Sequence, residues 1–213
     1  DIAKGANVTV TKSTIKNGHT GNQSNGGGIY VIGSKLKLDN TTIQDSKAVK
    51  KAGSAEDVRP NGGAIYAIAS EVTVENKSEI LNNGNGNGGG IHATGKSKVK
   101  ISDSTFSGNH TANIIDEANE GGAVFVNDGG TLEVSDSTFN VAKGFNTGGA
   151  IGIRHAKAEI KNSKFDINNL GDAYGISGGA IMSGESDLKV DGSTFTAANS
   201  KITFSGGFIN IVT

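Results

Sequence analysis

The chain has 213 residues, 34% of them hydrophobic but only 5% aromatic, so its core must be built from Val, Ile, Leu and a few Phe. Its 20 basic and 21 acidic residues are spread along the sequence for a net charge of −1, which leaves no basic stripe for nucleic acid or an anionic membrane. No apolar run approaches the roughly 20 residues needed to cross a bilayer, and the absence of cysteine removes disulfides, thiolate metal sites and cysteine nucleophiles together.

From the front of the chain, Val8 and Val10 alternate with polar residues, the period-two signature of a strand with one face inward. Ile15 follows at the end of a Ser/Thr-rich step. Glycines then enter: the chain holds 33 of them against one proline, and they recur as a pair followed by a small residue and Ile or Val. The pairs are Gly27-Gly28, Gly62-Gly63, Gly89-Gly90, Gly121-Gly122, Gly148-Gly149, Gly178-Gly179 and Gly206-Gly207. After each comes an alternating segment: Leu36/Leu38, Val72/Val74, Val99/Ile101, Leu132/Val134, Ala158/Ile160 and Leu188/Val190. A third element ends in Ile43, Ile80, Phe106, Phe139, Phe165 or Phe195.

The spacing identifies the kind of repeat. From Ile29 to Ile43, Ile65 to Ile80, Ile91 to Phe106 and onward the distance is 14 or 15 residues, whereas from the third element to the next first-strand residue it runs from 11 to 22. A fixed part and a variable part describe a solenoid whose insertions leave from one edge, because an added residue inside a stacked strand would turn its apolar face outward. Glycine, Asn and Ser interrupt every apolar run too soon for a helical repeat. The expected architecture is all-β: a right-handed parallel β-helix of about seven coils, each with three short strands, forming one domain over residues 1–213. A chain that opens at Asp1 reads as a piece of a longer surface protein whose targeting and anchoring segments lie elsewhere.

The strict Gly-Gly-Ala-(Ile/Val) form at Gly62, Gly121, Gly148 and Gly178, together with Phe106-Ser-Gly-Asn109, Phe165-Asp-Ile-Asn168 and Ile80-Leu-Asn-Asn83, resembles the paired motifs of chlamydial polymorphic membrane proteins and of related β-helix adhesins and autotransporter passenger domains. The likeness spans nearly the whole chain. It implies display on a bacterial surface, or secretion, and attachment to a host-cell or extracellular-matrix protein or glycan.

Candidate binding residues fall in two groups. The positions after the inward first-strand residues, Tyr30, Tyr66, His92 and Phe125, are expected to stack as an exposed aromatic ladder that offers a platform for sugar rings or a peptide, or else to be covered by long loops or a flanking domain or to stack for stability alone. The two long connections are Gln44 to Asn61, with Lys50, Lys51 and Arg59, and Ser107 to Glu120; loops on a rigid scaffold are where recognition concentrates. Asp116, Glu117 and Glu120 are the carboxylates for a calcium ion, if any cofactor is held, although no recognised calcium loop surrounds them. On the second strands Lys100 with Glu133 and Glu159 with Lys189 read as weak surface pairs. The same fold also serves polysaccharide lyases and hydrolases, for which Arg154-His155 is the most enzyme-like spot, yet no paired Asp-Asp or Gly-His-Gly signature accompanies it. A pure structural spacer is the third reading.

Overall fold

The computed structural model describes residues 1–20, 24–48, 60–84, 86–111, 119–141, 146–167, 171–173, 178–197, 200–202 and 206–213. Three seven-stranded parallel sheets run along a common axis, and the chain visits them in turn. The first sheet holds Ile29–Ile32, Ile65–Ile68, Ile91–Thr94, Val124–Asn127, Ile151–Arg154, Ile181–Gly184 and Ile209–Val212. The second runs from Asn7–Thr11 to Asp187–Asp191, and the third from Thr14–Lys16 to Thr194–Thr196. Every pairing is parallel and in register: Ile65 faces Ile91 and Ile91 faces Val124, Leu36 faces Val72, and Ile80 faces Phe106.

This register turns period-two alternation into continuous inner columns. Ile65, Ile91, Val124, Ile151 and Ile181 are fully buried in the first sheet, and Leu38, Val74, Ile101 and Ile160 in the second. In the third sheet the column changes from Ile15, Ile43 and Ile80 to Phe106, Phe139, Phe165 and Phe195. The Phe rings lie 5.1, 5.0 and 4.8 Å apart and nearly parallel, a rung spacing imposed by the backbone.

The Ser- and Asn-rich steps close the corners. Ser34 N–H donates to Ser70 Oγ and Ser70 N–H to Ser97 Oγ, while each hydroxyl returns a bond to a carbonyl of its own coil. Ser104, Ser137, Ser163 and Ser193 repeat the device at the next corner. The Asn of the Phe-x-x-Asn step is a fold residue: buried Asn83 and Asn109 donate to the carbonyls of Ile43 and Ile80, and the Asn109 carbonyl oxygen accepts from Asn83 N–H. Where Asn is missing after Ile43, Ser46 takes the place and receives Gly18 N–H. Such bonds satisfy main-chain groups that a tight corner would otherwise leave buried and unpaired.

The glycine pair divides two duties. Gly62 adopts φ +68, the left-handed region open to glycine at little cost. Gly63 has ordinary φ, but a Cβ there would run into main-chain atoms of Gly84 and Gly89 in the next coil. The variable edge also carries short parallel pairs, His19–Thr20 with Lys47–Ala48 and Asn119–Glu120 with Asn146–Thr147, so part of it is laddered as well.

Candidate functional site

The aromatic column forms on the outer face of the first sheet, because Tyr30, Tyr66, His92 and Phe125 are register partners on successive strands. Tyr30 and Tyr66 stack with centroids 5.7 Å apart, and His92 meets Tyr66 and Phe125 edge-on at 5.0 and 5.1 Å. The expected full exposure is corrected. The two tyrosines are half-buried, whereas His92 is 5% exposed and Phe125 3%. Geometry supplies one reason: the His92 ring lies between Tyr66 and Phe125 and meets both at steep angles, so each neighbour covers part of it.

A second reason lies at the next rung, where Gly152 continues the column without a side chain. The space a Cβ would fill there is bordered by Phe125 Cδ2 at 3.0 Å and Glu120 Cβ at 3.2 Å. Glu120 thus folds onto the face beside Phe125, is itself buried, and meets Arg154 through both carboxylate oxygens. That hydrogen bond, before the counteracting effect of burial, raises the Arg154 pKa further. Glu120 N–H is placed by Asn87 Oδ1, the last member of a side-chain ladder in which Asn25 Oδ1 accepts from Asn61 N–H and Asn61 Oδ1 from Asn87 N–H.

The accessible end of the ladder is apolar at its centre. Ile32, 39% exposed, lies two residues beyond Tyr30 on the same face, and Ile68 repeats the position beside Tyr66. Tyr30 also borders a cleft of about 520 Å³ with Asp1, Thr20, Ser24 and Asn25. Burial, the neighbouring Tyr30 and then Asp128 raise the Tyr66 phenol above its ordinary pKa.

His92 is the anomaly of the face. Both ring nitrogens are buried and, among the described residues, neither has a hydrogen-bond partner within bonding geometry, nor has Asn127 Oδ1. Burial lowers the His92 pKa to about 4, against the opposing pull of Asn127 and Asp128. A folded pKa below the ordinary 6.5 means that the unfolded chain takes up the proton first, so stability present at neutral pH is lost as pH falls from 6.5 toward 4. The expected loss at pH 4.5 relative to pH 7 is about 2.5 kcal/mol from this group. Urea unfolding of the protein beside a His92→Phe variant isolates it: the variant should lose less stability by that margin, and equal losses in the two would refute the assignment.

The second sheet presents the solvated face that the sequence suggests. Glu159 meets Lys189 at 3.1 Å, Lys35 meets Glu71 at 2.8 Å and Lys37 meets Glu75 at 2.6 Å. Lys100 and Glu133 are register neighbours but form no ion pair among the described residues. Hydrogen bonding to Lys35 lowers the Glu71 pKa and that to Lys161 and Lys189 lowers Glu159. Pairs this exposed contribute little to stability.

The remaining candidates divide sharply. Lys50, Lys51, Arg59, Asp116 and Glu117 lie outside the described residues. Of the proposed calcium carboxylates only Glu120 is described, and it is engaged by Arg154; no group of three or more His, Asp or Glu among the described residues is placed to hold a metal ion. Arg154 and His155 point to different carboxylates, Glu120 and Glu185, the latter at 2.7 Å from His155 Nε2. The links of the ladder span 36, 26 and 33 residues and that of Glu120 with Arg154 spans 34, and the signal that could have joined the ladder is positional: Asn25, Asn61, Asn87 and Glu120 each stand immediately before a glycine run.

Stacked parallel coils with fixed strands, buried Ser and Asn ladders and insertions at one edge define a solenoid of the β-helix class. Residues 1–145 match the family described as the right-handed β-helix region, and the chain belongs to that family. No curated protein and no solved structure matches it.

Proposed function

We propose that this domain is a bacterial surface or secreted adhesin module that binds a host-cell or matrix protein or glycan through the outer face of the first sheet. The observation that carries this reading is the patch of Tyr30, Ile32, Tyr66 and Ile68, an accessible aromatic-aliphatic stripe beside a cleft with carboxylate, hydroxyl and amide groups. Apolar surface of this kind, rimmed by polar side chains, marks contact sites more often than plain surface. The connection from Gln44 to Asn61 contributes Lys50, Lys51 and Arg59 to the proposal on the ground of sequence alone, since these three lie outside the described residues.

A polysaccharide-cleaving role has its best support in His155, held by Glu185 in a cleft with Thr131 and Lys157. Binding is favoured over it because Arg154 and His155 are each occupied by a different carboxylate and do not converge on one point.

A glycan and matrix-protein array probed with the intact domain and with a Tyr30→Ser/Ile32→Ser variant tests the proposal. The variant should fold normally and lose tenfold or more in affinity, about 1.4 kcal/mol or greater. Undiminished binding by the variant, or cleavage of an arrayed polysaccharide that a His155→Ala change abolishes, would overturn it.

A further inference from the structure

Five Asn-Gly dipeptides lie among the described residues: Asn17-Gly18, Asn25-Gly26, Asn61-Gly62, Asn83-Gly84 and Asn87-Gly88. Asparagine before glycine is chemically labile, because the following amide nitrogen can reach the side-chain carboxamide without hindrance from a Cβ. Stacking restrains that reaction at both ends. The nitrogen of Gly26 donates to Asn61 O at 2.9 Å, that of Gly62 to Asn87 O at 3.0 Å, that of Gly84 to Ser46 O at 3.0 Å and that of Gly88 to Glu120 O at 3.0 Å. The carboxamides are held as well: those of Asn25, Asn61 and Asn87 accept the main-chain N–H of the next rung, and that of Asn83 is bonded to Ser46, Ile43 and Asn109.

Asn17 is different. It is exposed, follows the strand Thr14–Lys16 at φ +56, and its carboxamide makes no hydrogen bond among the described residues. Among the described residues Gly18 N–H meets only the Ser46 hydroxyl, at 3.2 Å.

We propose that Asn17-Gly18 is a site of spontaneous covalent modification on the folded protein, whereas Asn25, Asn61, Asn83 and Asn87 are kept inert until the coils separate. The Gly18 nitrogen loses its proton and attacks Asn17 Cγ; the new C–N bond closes a five-membered imide and the side-chain nitrogen leaves as ammonia. Water then opens the imide at either carbonyl, giving aspartate or isoaspartate and one added negative charge. Isoaspartate lengthens the main chain by one methylene. At Asn17 this disturbs only the junction of the first coil with the second, where Asn17 N–H bonds to Gln44 O, Gly18 N–H to Ser46 Oγ and Lys47 N–H to Gly18 O. At Asn61 or Asn87 it would break the register of every rung that the residue joins, so those sites record past opening of the stack.

Peptide mapping by mass spectrometry after incubation of the intact protein in mildly alkaline buffer, folded and in urea, reads each site separately. In the folded protein Asn17 should convert about tenfold or more faster than Asn61 and Asn87, and in urea the rates should come together within a few-fold. An Asn17→Gln variant should lose the fast native-state conversion and keep its fold. Equal rates at Asn17 and Asn61 in the folded protein, or a preference for Asn17 that persists in urea, would overturn the proposal.

Discussion

Phe139→Ala should destabilise the protein by about 4 kcal/mol, the largest effect expected of a side-chain truncation in this chain. Phe139 is fully buried, and its ring has a stacked neighbour on each side, Phe106 at 5.1 Å and Phe165 at 5.0 Å. Truncation removes the transfer term and two ring contacts together, and it leaves a cavity that cannot collapse, because hydrogen-bonded strands fix the rung spacing. Phe195 provides the control. It is only partly buried and stands on the end strand of the third sheet, so Phe195→Ala should cost roughly half as much. Urea unfolding followed by circular dichroism gives both numbers, and equal costs at the two positions would contradict the column. Because each coil touches mainly its neighbours, the transition of the Phe139 variant should also broaden or split, as in a one-dimensional array interrupted near its middle.

Gly63→Ala should be almost as damaging, at about 3 kcal/mol or more, although it adds a single methyl group. The added Cβ would meet main-chain atoms of Gly84 and Gly89, which belong to hydrogen-bonded strands and turns and cannot swing aside as a flexible side chain would. Gly207→Ala is the matched comparison, since nothing lies within 4 Å of its Cβ position and its φ is not positive. That change should be neutral within about 0.5 kcal/mol. The pair separates close approach from backbone freedom: if both alanine variants unfold at the same urea concentration, the glycine runs are not there to let coils approach.

The architecture was legible because its constraints fall on residue types. Glycine pairs mark where coils come closest, and alternation at Leu36/Leu38 or Val99/Ile101 states which face is inside. Alternation is silent on what covers the other face. For that reason Tyr30, Tyr66, His92 and Phe125 were placed correctly on one column while His92 and Phe125 were expected in solvent; the approach of Glu120 depends on Gly152, one coil further along the chain. The Ser and Asn steps were read as punctuation, yet they are the hydrogen-bonded corners, a role visible only when register brings Ser70 beside Ser97 and Asn83 beside Asn109. Turn residues such as Asn40, Asp103, Asp136 and Asn162 take positive φ at one corner, where the short polar side chain tolerates it; their spacing was available in the sequence but hidden among many other Asn and Asp.

The stacking of equal coils is open to direct measurement. The chain has no cysteine, so spin labels can be attached through pairs of introduced cysteines on the outer face of the second sheet, with Thr9 as the fixed point and Lys37, Lys100, Glu133 or Lys189 as the other. Pulsed electron resonance should give backbone separations that rise by about 4.8 Å per rung, near 19 Å for Thr9 to Glu133 and 29 Å for Thr9 to Lys189. Separations that do not increase with rung number, or that place Lys189 no farther from Thr9 than Lys100 is, would contradict the parallel stack.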